Sequence, residues 1–344
     1  MFNLFTNTDR LLVTRHCLLF SILFIVIAFS SLTTNAFAAQ QEDTVNTNQE
    51  QNDPSAQKSE EKQEGSEVGN KDVTANSEEA SDSNKSHLRS NIDIVAPVNA
   101  LTTKKNDLKH YLAAEIIQPV LVGPEDHTTL VTTNNAINNK GVMILLPDWQ
   151  QTAASPKALN ALRKSFPDQG WTTIAVQPPN KPENYPSYAI EQTARDEENS
   201  KTLGDYQQQL AKIIAAVTEN AKGYPGIILV VAEGHHAALL LNIYQEALAE
   251  KPTAFIMLSA HLNDIQANVS AAKNLSLLEL PVLDLYLKAD NPLVMSSMKL
   301  RKKFVNQELK SNYRQKKIYN THTGYYPTES LIKEINGWLK SIGW

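Results

Sequence analysis

The chain has 344 residues, 42% of them hydrophobic and 20% charged, with a formal net charge of -5 and one cysteine. That length exceeds one ordinary domain, so non-globular segments must be set aside before domains are counted. The only cysteine, Cys17, lies in an apolar leader, so once the leader is removed a disulfide scaffold, a thiolate metal site and a cysteine nucleophile are excluded, and no basic patch points to nucleic acid.

At the start, Arg10 and Arg15 precede an uncharged apolar stretch over residues 17–29, and Ala36-Phe37-Ala38 supplies a small-x-small cleavage site. This pattern predicts a secretory signal peptide over residues 1–38, cut after Ala38, with no membrane span left in the mature chain. An uncleaved anchor stays open as the second reading, because the run approaches the roughly 17 to 25 residues that span a bilayer. Either reading carries the rest of the protein out of the cytoplasm. Arg15 and His16 stand where a lipoprotein acylation site needs small apolar residues.

Residues 39–90 are acidic and nearly devoid of Val, Ile, Leu and aromatic residues. Such a segment cannot bury enough apolar surface to offset the entropy of ordering and reads as a disordered, solvating linker. Its acidity accounts for the net charge and leaves the remainder near neutral.

Residues 91–344 are long enough for one domain with a sizeable core. Two short β-type runs, 116–124 and 127–135, flank the turn Gly123-Pro124-Glu125-Asp126 and read as a hairpin. The continuous apolar run 141–148 then reads as a strand buried on both faces. A helix follows over 155–170, with Ser155 as cap, Pro156 in the first turn, and Leu159, Leu162 and Phe166 at helical spacing. Further strand–helix cycles pair 171–179 with 206–223, 226–234 with 236–250, 254–262 with a weak helix near 264–275, 281–292 with 296–309, and 314–320 with 327–344. This alternation predicts a mostly parallel sheet with helices on both faces behind an N-terminal antiparallel hairpin, since each right-handed crossover needs a helix to return the chain. Only about twenty residues separate Ser259 from the next strand, so no large lid is inserted there.

No G-x-G-x-x-G follows the first parallel strand and no G-x-x-x-x-G-K-[ST] occurs, so no cofactor is expected. The stretches DLKHYL, VMILLPDWQQ, LRKSFPDQGWTTIAVQPP and LPVLDLYLKADNP are similar to those of the bacterial α/β-hydrolase-like family known as domain of unknown function 3530. The resemblance implies an α/β-hydrolase-like fold and, together with the leader, a periplasmic location. It implies no established reaction.

An α/β-hydrolase keeps its nucleophile in G-x-S-x-G at a strained strand-to-helix turn. Here the corner reads Ala232-Glu233-Gly234-His235-His236-Ala237-Ala238. Aligned on the strand end, Gly234 takes the nucleophile position; aligned on the small residues, His236 takes it. Neither register supplies Ser, Cys or Asp, and an acyl-imidazole on His236 is seldom used for such turnover. Gly234 can adopt positive φ, and the N–H groups of Gly234 and His235 at the following helix start can still meet a ligand. In the family's chain order the acid and base roles fall on Asp290 and His322, while a helix cap and a loop histidine are the structural alternatives.

Where hydrolases often carry His-Gly after the first parallel strand, this chain has Pro147-Asp148-Trp149-Gln150. A carboxylate at Asp148 would repel a developing oxyanion, or it caps the next turn. Trp149, Tyr325 and Tyr326 are expected to line the crevice mouth. His235, His236, His261, His322 and Asp290 all follow predicted strand ends, the edge where open α/β sheets bind ligands, but their spacing matches no metal signature, and no metal is assigned. Ser259, ending AFIMLSA, is the remaining hydroxyl nucleophile, or it satisfies the strand end.

Three function classes follow. The first is an exported, non-catalytic module binding a small molecule or envelope ligand through Gly234, His235, Asp148 and Trp149. The second is an ester or acyl hydrolase with a non-standard nucleophile or metal-bound water. The third is an assembly or structural partner in the envelope.

Overall fold

The computed structural model describes residues 98–344. The expected signal peptide and linker, and residues 91–97 of the expected domain, lie outside the described residues.

The two alternating runs form the hairpin β1 (Ile117–Val122) and β2 (Glu125–Thr132). The apolar runs that follow become β3 (Gly141–Leu146), β4 (Trp171–Val176), β5 (Ile227–Glu233), β6 (Ala254–Leu258) and β7 (Val282–Leu287), and the more polar β8 (Tyr313–Ile318) forms the far edge. The strand order is β1-β2-β4-β3-β5-β6-β7-β8. The contacts β1–β2 and β2–β4 are antiparallel and the remainder parallel, which is the α/β-hydrolase-like architecture the sequence predicts.

Helices cover both faces: α1 (Ala100–Tyr111), α2 (Ala158–Ser165), α3 (Gln192–Ala221), α4 (Gly234–Gln245), α5 (Ile265–Leu277), α6 (Pro292–Gln307) and α7 (Thr328–Ser341). Because successive strand residues point to opposite faces, Ile144 and Val230 enter one core with Leu210 and Leu240, while Leu145 and Val231 enter the other with Leu162 and Trp338. Both faces are dry, which is why β3 reads as an unbroken apolar run.

Register sets the site. Leu146 pairs with Ala232, and Glu233 pairs with Leu258. The residues just past β3, β5 and β6 therefore emerge side by side on one edge of the sheet. At the far end, Arg301 of α6 donates to Asp284 of β7 through Nε at 2.7 Å and Nη2 at 3.1 Å, and Tyr313 and Gln315 of β8 donate to the same carboxylate. Arg301 Nη1 also donates to the carbonyl of Ala260 at 2.7 Å, which ties this buried network to the loop after β6.

Some elements differ from expectation. The helix α1 was not predicted; its sequence is polar and buries only Leu108. α2 begins after Lys157, and Ser155 Oγ accepts the Thr152 N–H at 2.8 Å instead of capping the helix. α3 starts at Gln192, well before the apolar periodicity that marks its second half. Among the described residues no helix is long and apolar enough to cross a membrane.

Candidate functional site

The corner between β5 and α4 places Gly234 at φ +59°, the left-handed region that strains any residue with a Cβ. A Cβ built there would overlap the carboxylate of Asp148, which enters from the loop after β3. That carboxylate also accepts the backbone N–H of His235 at 2.9 Å and faces His235 Nδ1 at 3.1 Å. In the hydrolase elbow, the N–H of the residue after the nucleophile helps form the oxyanion hole. Asp148 thus presents an internal carboxylate both to the side-chain space at Gly234 and to the donor at that position. Burial opposes the ionisation of Asp148, but the interaction with His235, its hydrogen bond first, outweighs it and holds the carboxyl below the usual range.

The rest of this side is filled by rings. Trp149 is only 6% exposed and stacks on His235 at 4.0 Å, with Tyr185 and Tyr206 edge-on to its indole. His261 tilts against His235 at 4.5 Å, and its Nδ1–H donates to the Ser259 carbonyl at 2.9 Å. His235 Nε2 lies 3.2 Å from Asn263 Oδ1. The expectation that Trp149 lines an open mouth is corrected here: the indole is packed beneath His235.

His236 is directed into the core. Its Nδ1–H donates to the Pro147 carbonyl at 2.5 Å, and its Nε2 accepts from the Tyr206 hydroxyl at 2.7 Å, so the ring is neutral with a fixed tautomer. Burial pushes its pKa down to about 4. One residue's step along α4 turns a side chain by about 100°, which takes His236 off the crevice wall that His235 occupies. A catalytic role for His236 does not fit this geometry.

Asp290 stands beyond β7. Its Oδ2 accepts the Ser259 hydroxyl at 2.6 Å and the Leu287 N–H at 2.9 Å, and its Oδ1 accepts the Asn291 N–H at 2.8 Å. Asn291, not Asp290, caps α6, through the Leu293 N–H. His322 lies exposed in the loop after β8, and among the hydrogen bonds of the described residues none joins it to Asp290. The expected acid–base pair is therefore not assembled. The five residues His235, His236, His261, His322 and Asp290 do not converge either: among the described residues no group of three His, Cys, Asp or Glu has metal-holding geometry.

Ser259 carries φ +48°, rare for a residue with a Cβ, and its Oγ also lies 2.6 Å from the Tyr326 hydroxyl. Tyr326 is buried and donates to the Leu285 carbonyl at 3.0 Å, so of the two tyrosines expected at the mouth only Tyr325 is exposed.

Glu233, the last residue of β5, is 8% exposed, and its Oε2 has no hydrogen-bond partner. Burial, and after it the charge of Asp148, pushes its carboxyl up to about 7, against a hydrogen bond from Gln151. Sequence reasoning assigned Glu233 no role. The visible signal was a carboxylate ending an otherwise unbroken apolar strand.

A family model described as "Protein of unknown function (DUF3530)" matches residues 18–341. No curated protein matches the chain. Similar solved structures include TT1662 from Thermus thermophilus, at 12% identity and TM-score 0.47 over 65% of this chain and 98% of that one. A dienelactone hydrolase from Anabaena variabilis is 11% identical, with TM-score 0.47 over 65% and 96% of the two chains. Est1E from Butyrivibrio proteoclasticus is also 11% identical, with TM-score 0.46 over 65% and 99%.

Proposed function

On the premise that this chain belongs to the family described as "Protein of unknown function (DUF3530)", we propose that it is an exported α/β-hydrolase-like binding module of the cell envelope that does not catalyse acyl transfer. In this reading residues 1–38 direct export to the periplasm and residues 39–90 tether the domain. The observation that carries it is Asp148: its carboxylate takes the space a nucleophile on position 234 would need and occupies the His235 N–H. A negative charge at that donor opposes the developing oxyanion of acyl transfer, the step such donors otherwise accelerate by about 10²–10³. The rings of Trp149, His235 and His261 close the same side, so ligand recognition lies outside the elbow.

A second reading, a hydrolase with a non-standard nucleophile, rests on Ser259. Its strained backbone and its bond to Asp290 are features that functional serines share. Against it, the hydroxyl is held between a carboxylate and a tyrosine, and no imidazole ring nitrogen is bonded to it.

The test is hydrolysis of short- and long-chain p-nitrophenyl esters by the full chain, beside Ser259→Ala and His322→Ala. The expected result is the buffer rate in all three. Turnover by the wild type that disappears in Ser259→Ala would establish the second reading instead.

A further inference from the structure

Three carboxyl groups meet at the edge of the sheet beside the elbow: Asp148 after β3, Glu233 at the end of β5 and Asp290 after β7. Two of them are well supplied with donors. Asp290 accepts from the Ser259 hydroxyl and from the Leu287 and Asn291 N–H groups, and Asp148 accepts from the His235 N–H and faces its Nδ1. Glu233 is more deeply buried than either, meets only Gln151 as a donor, and its Oε2 has no partner. A buried carboxylate short of donors and beside two like charges is costly, so Glu233 is the member of the three that keeps a proton.

The surroundings leave little to neutralise it. The titratable groups facing Glu233 are Asp148 and Lys157 from the segment between β3 and α2, Asp290 beyond β7 and Tyr326 before α7. Asp148 in turn faces His235, and His261 tilts against that ring. Lys157 is the one cation facing Glu233, and among the described residues no ion pair joins the two. Burial first, and the Asp148 charge after it, hold the Glu233 carboxyl up at about 7, so its ionisation falls in the neutral range. Register couples that event to the elbow. Leu146 pairs with Ala232, so Asp148 and Gly234 both stand two residues past that pair, with Glu233 directly before the glycine.

We propose that Glu233 is a proton-operated latch on the elbow: protonated, it lets the Asp148 carboxylate rest on the His235 N–H, and ionised, it repels that carboxylate, frees the N–H and clears the side-chain space at Gly234. The repulsion acts between buried groups, where water and salt screen it little. The inference rests on the closed-elbow reading and adds its regulation: closure is firm in acid and loosens toward neutral pH.

Hydrogen exchange of the full chain tests it, followed at the His235 amide between about pH 5 and 8 and corrected for the intrinsic pH dependence of exchange. An open corner lets Glu233 ionise at its ordinary 4.5, while the closed one delays this to about 7. The opening constant is therefore expected to rise by up to about tenfold per pH unit between those limits and to level off above them. The His235 amide is also expected to exchange faster than the amides of β3, which report global unfolding. In Glu233→Gln the rise should vanish, and in Asp148→Asn, which keeps an acceptor but removes the repelled charge, it should be shallower. A flat profile in the wild type, the same rise in Glu233→Gln, an unchanged rise in Asp148→Asn, or exchange of His235 at the rate of β3 throughout overturns the proposal. Ester turnover bears only on the non-catalytic reading, so the two fail separately.

Discussion

The carboxylate of Asp148 and the backbone N–H of His235 are joined by a 2.9 Å hydrogen bond between residues 87 positions apart, directly over the glycine at the strand-to-helix corner. From this contact follow the closed character of the elbow and the first prediction. Replacing Asp148 by Ala leaves the His235 N–H without its acceptor, and urea unfolding is expected to show a loss of about 1–3 kcal/mol. Asp148→Asn, which keeps an oxygen at that place, is expected to lose less.

Glu233 and pH give the second. Its folded carboxyl titrates near 7, above its ordinary value of 4.5, so the folded state keeps a proton that the unfolded chain releases. Stability is therefore undiminished below about pH 4.5 and is lost as pH rises toward 7. Glu233→Gln removes that loss: the variant should match wild type at pH 4 and exceed it by about 3 kcal/mol at pH 8. Equal pH profiles for the two proteins in urea unfolding would refute the assignment.

His236 has the opposite sign. Its folded pKa is depressed to about 4 from 6.5, so its contribution is present above pH 6.5 and is lost as pH falls through 4. His236→Ala leaves the Pro147 carbonyl unpaired and a cavity beside Tyr206, and should cost about 3–5 kcal/mol at pH 7. Because His236 faces the core, binding of any crevice ligand should be unchanged in the molecules that remain folded.

The Asp284–Arg301 pair supplies a fourth. Arg301→Met strands a fully buried carboxylate, and denaturant unfolding should report a loss of about 3–5 kcal/mol. Replacing both partners by apolar residues should recover much of that loss, although Tyr313 and Gln315 are then left without their acceptor.

Much of the fold was legible because burial leaves a pattern. A strand such as Gly141–Leu146, covered on both faces, has to be apolar throughout. The helix α1 and the first turns of α3 were not legible, since ALTTKKNDLKHY and QTARDEEN carry no apolar stripe for periodicity to find. At the site, the glycine corner could be read from local sequence, and so could the carboxyl-edge positions of Asp148, Ser259 and Asp290. What occupies the corner could not. The meeting of Asp148 with His235 depends on the register between β3 and β5, and the bond from Asp290 to Ser259 on that between β6 and β7. His236 was misplaced because adjacent helix positions face different surroundings, and nothing in Gly-His-His says which imidazole turns inward.

The central claim is that the Asp148 carboxylate fills the side-chain space at position 234, and a double-mutant cycle in urea unfolding tests it most directly. Gly234→Ser should cost about 2–4 kcal/mol in the wild type, from left-handed strain plus overlap. In the Asp148→Ala background only the strain remains, so the two substitutions should couple by about 1–3 kcal/mol. Additivity to within about 0.5 kcal/mol would mean that the carboxylate does not occupy that space and that the elbow is open.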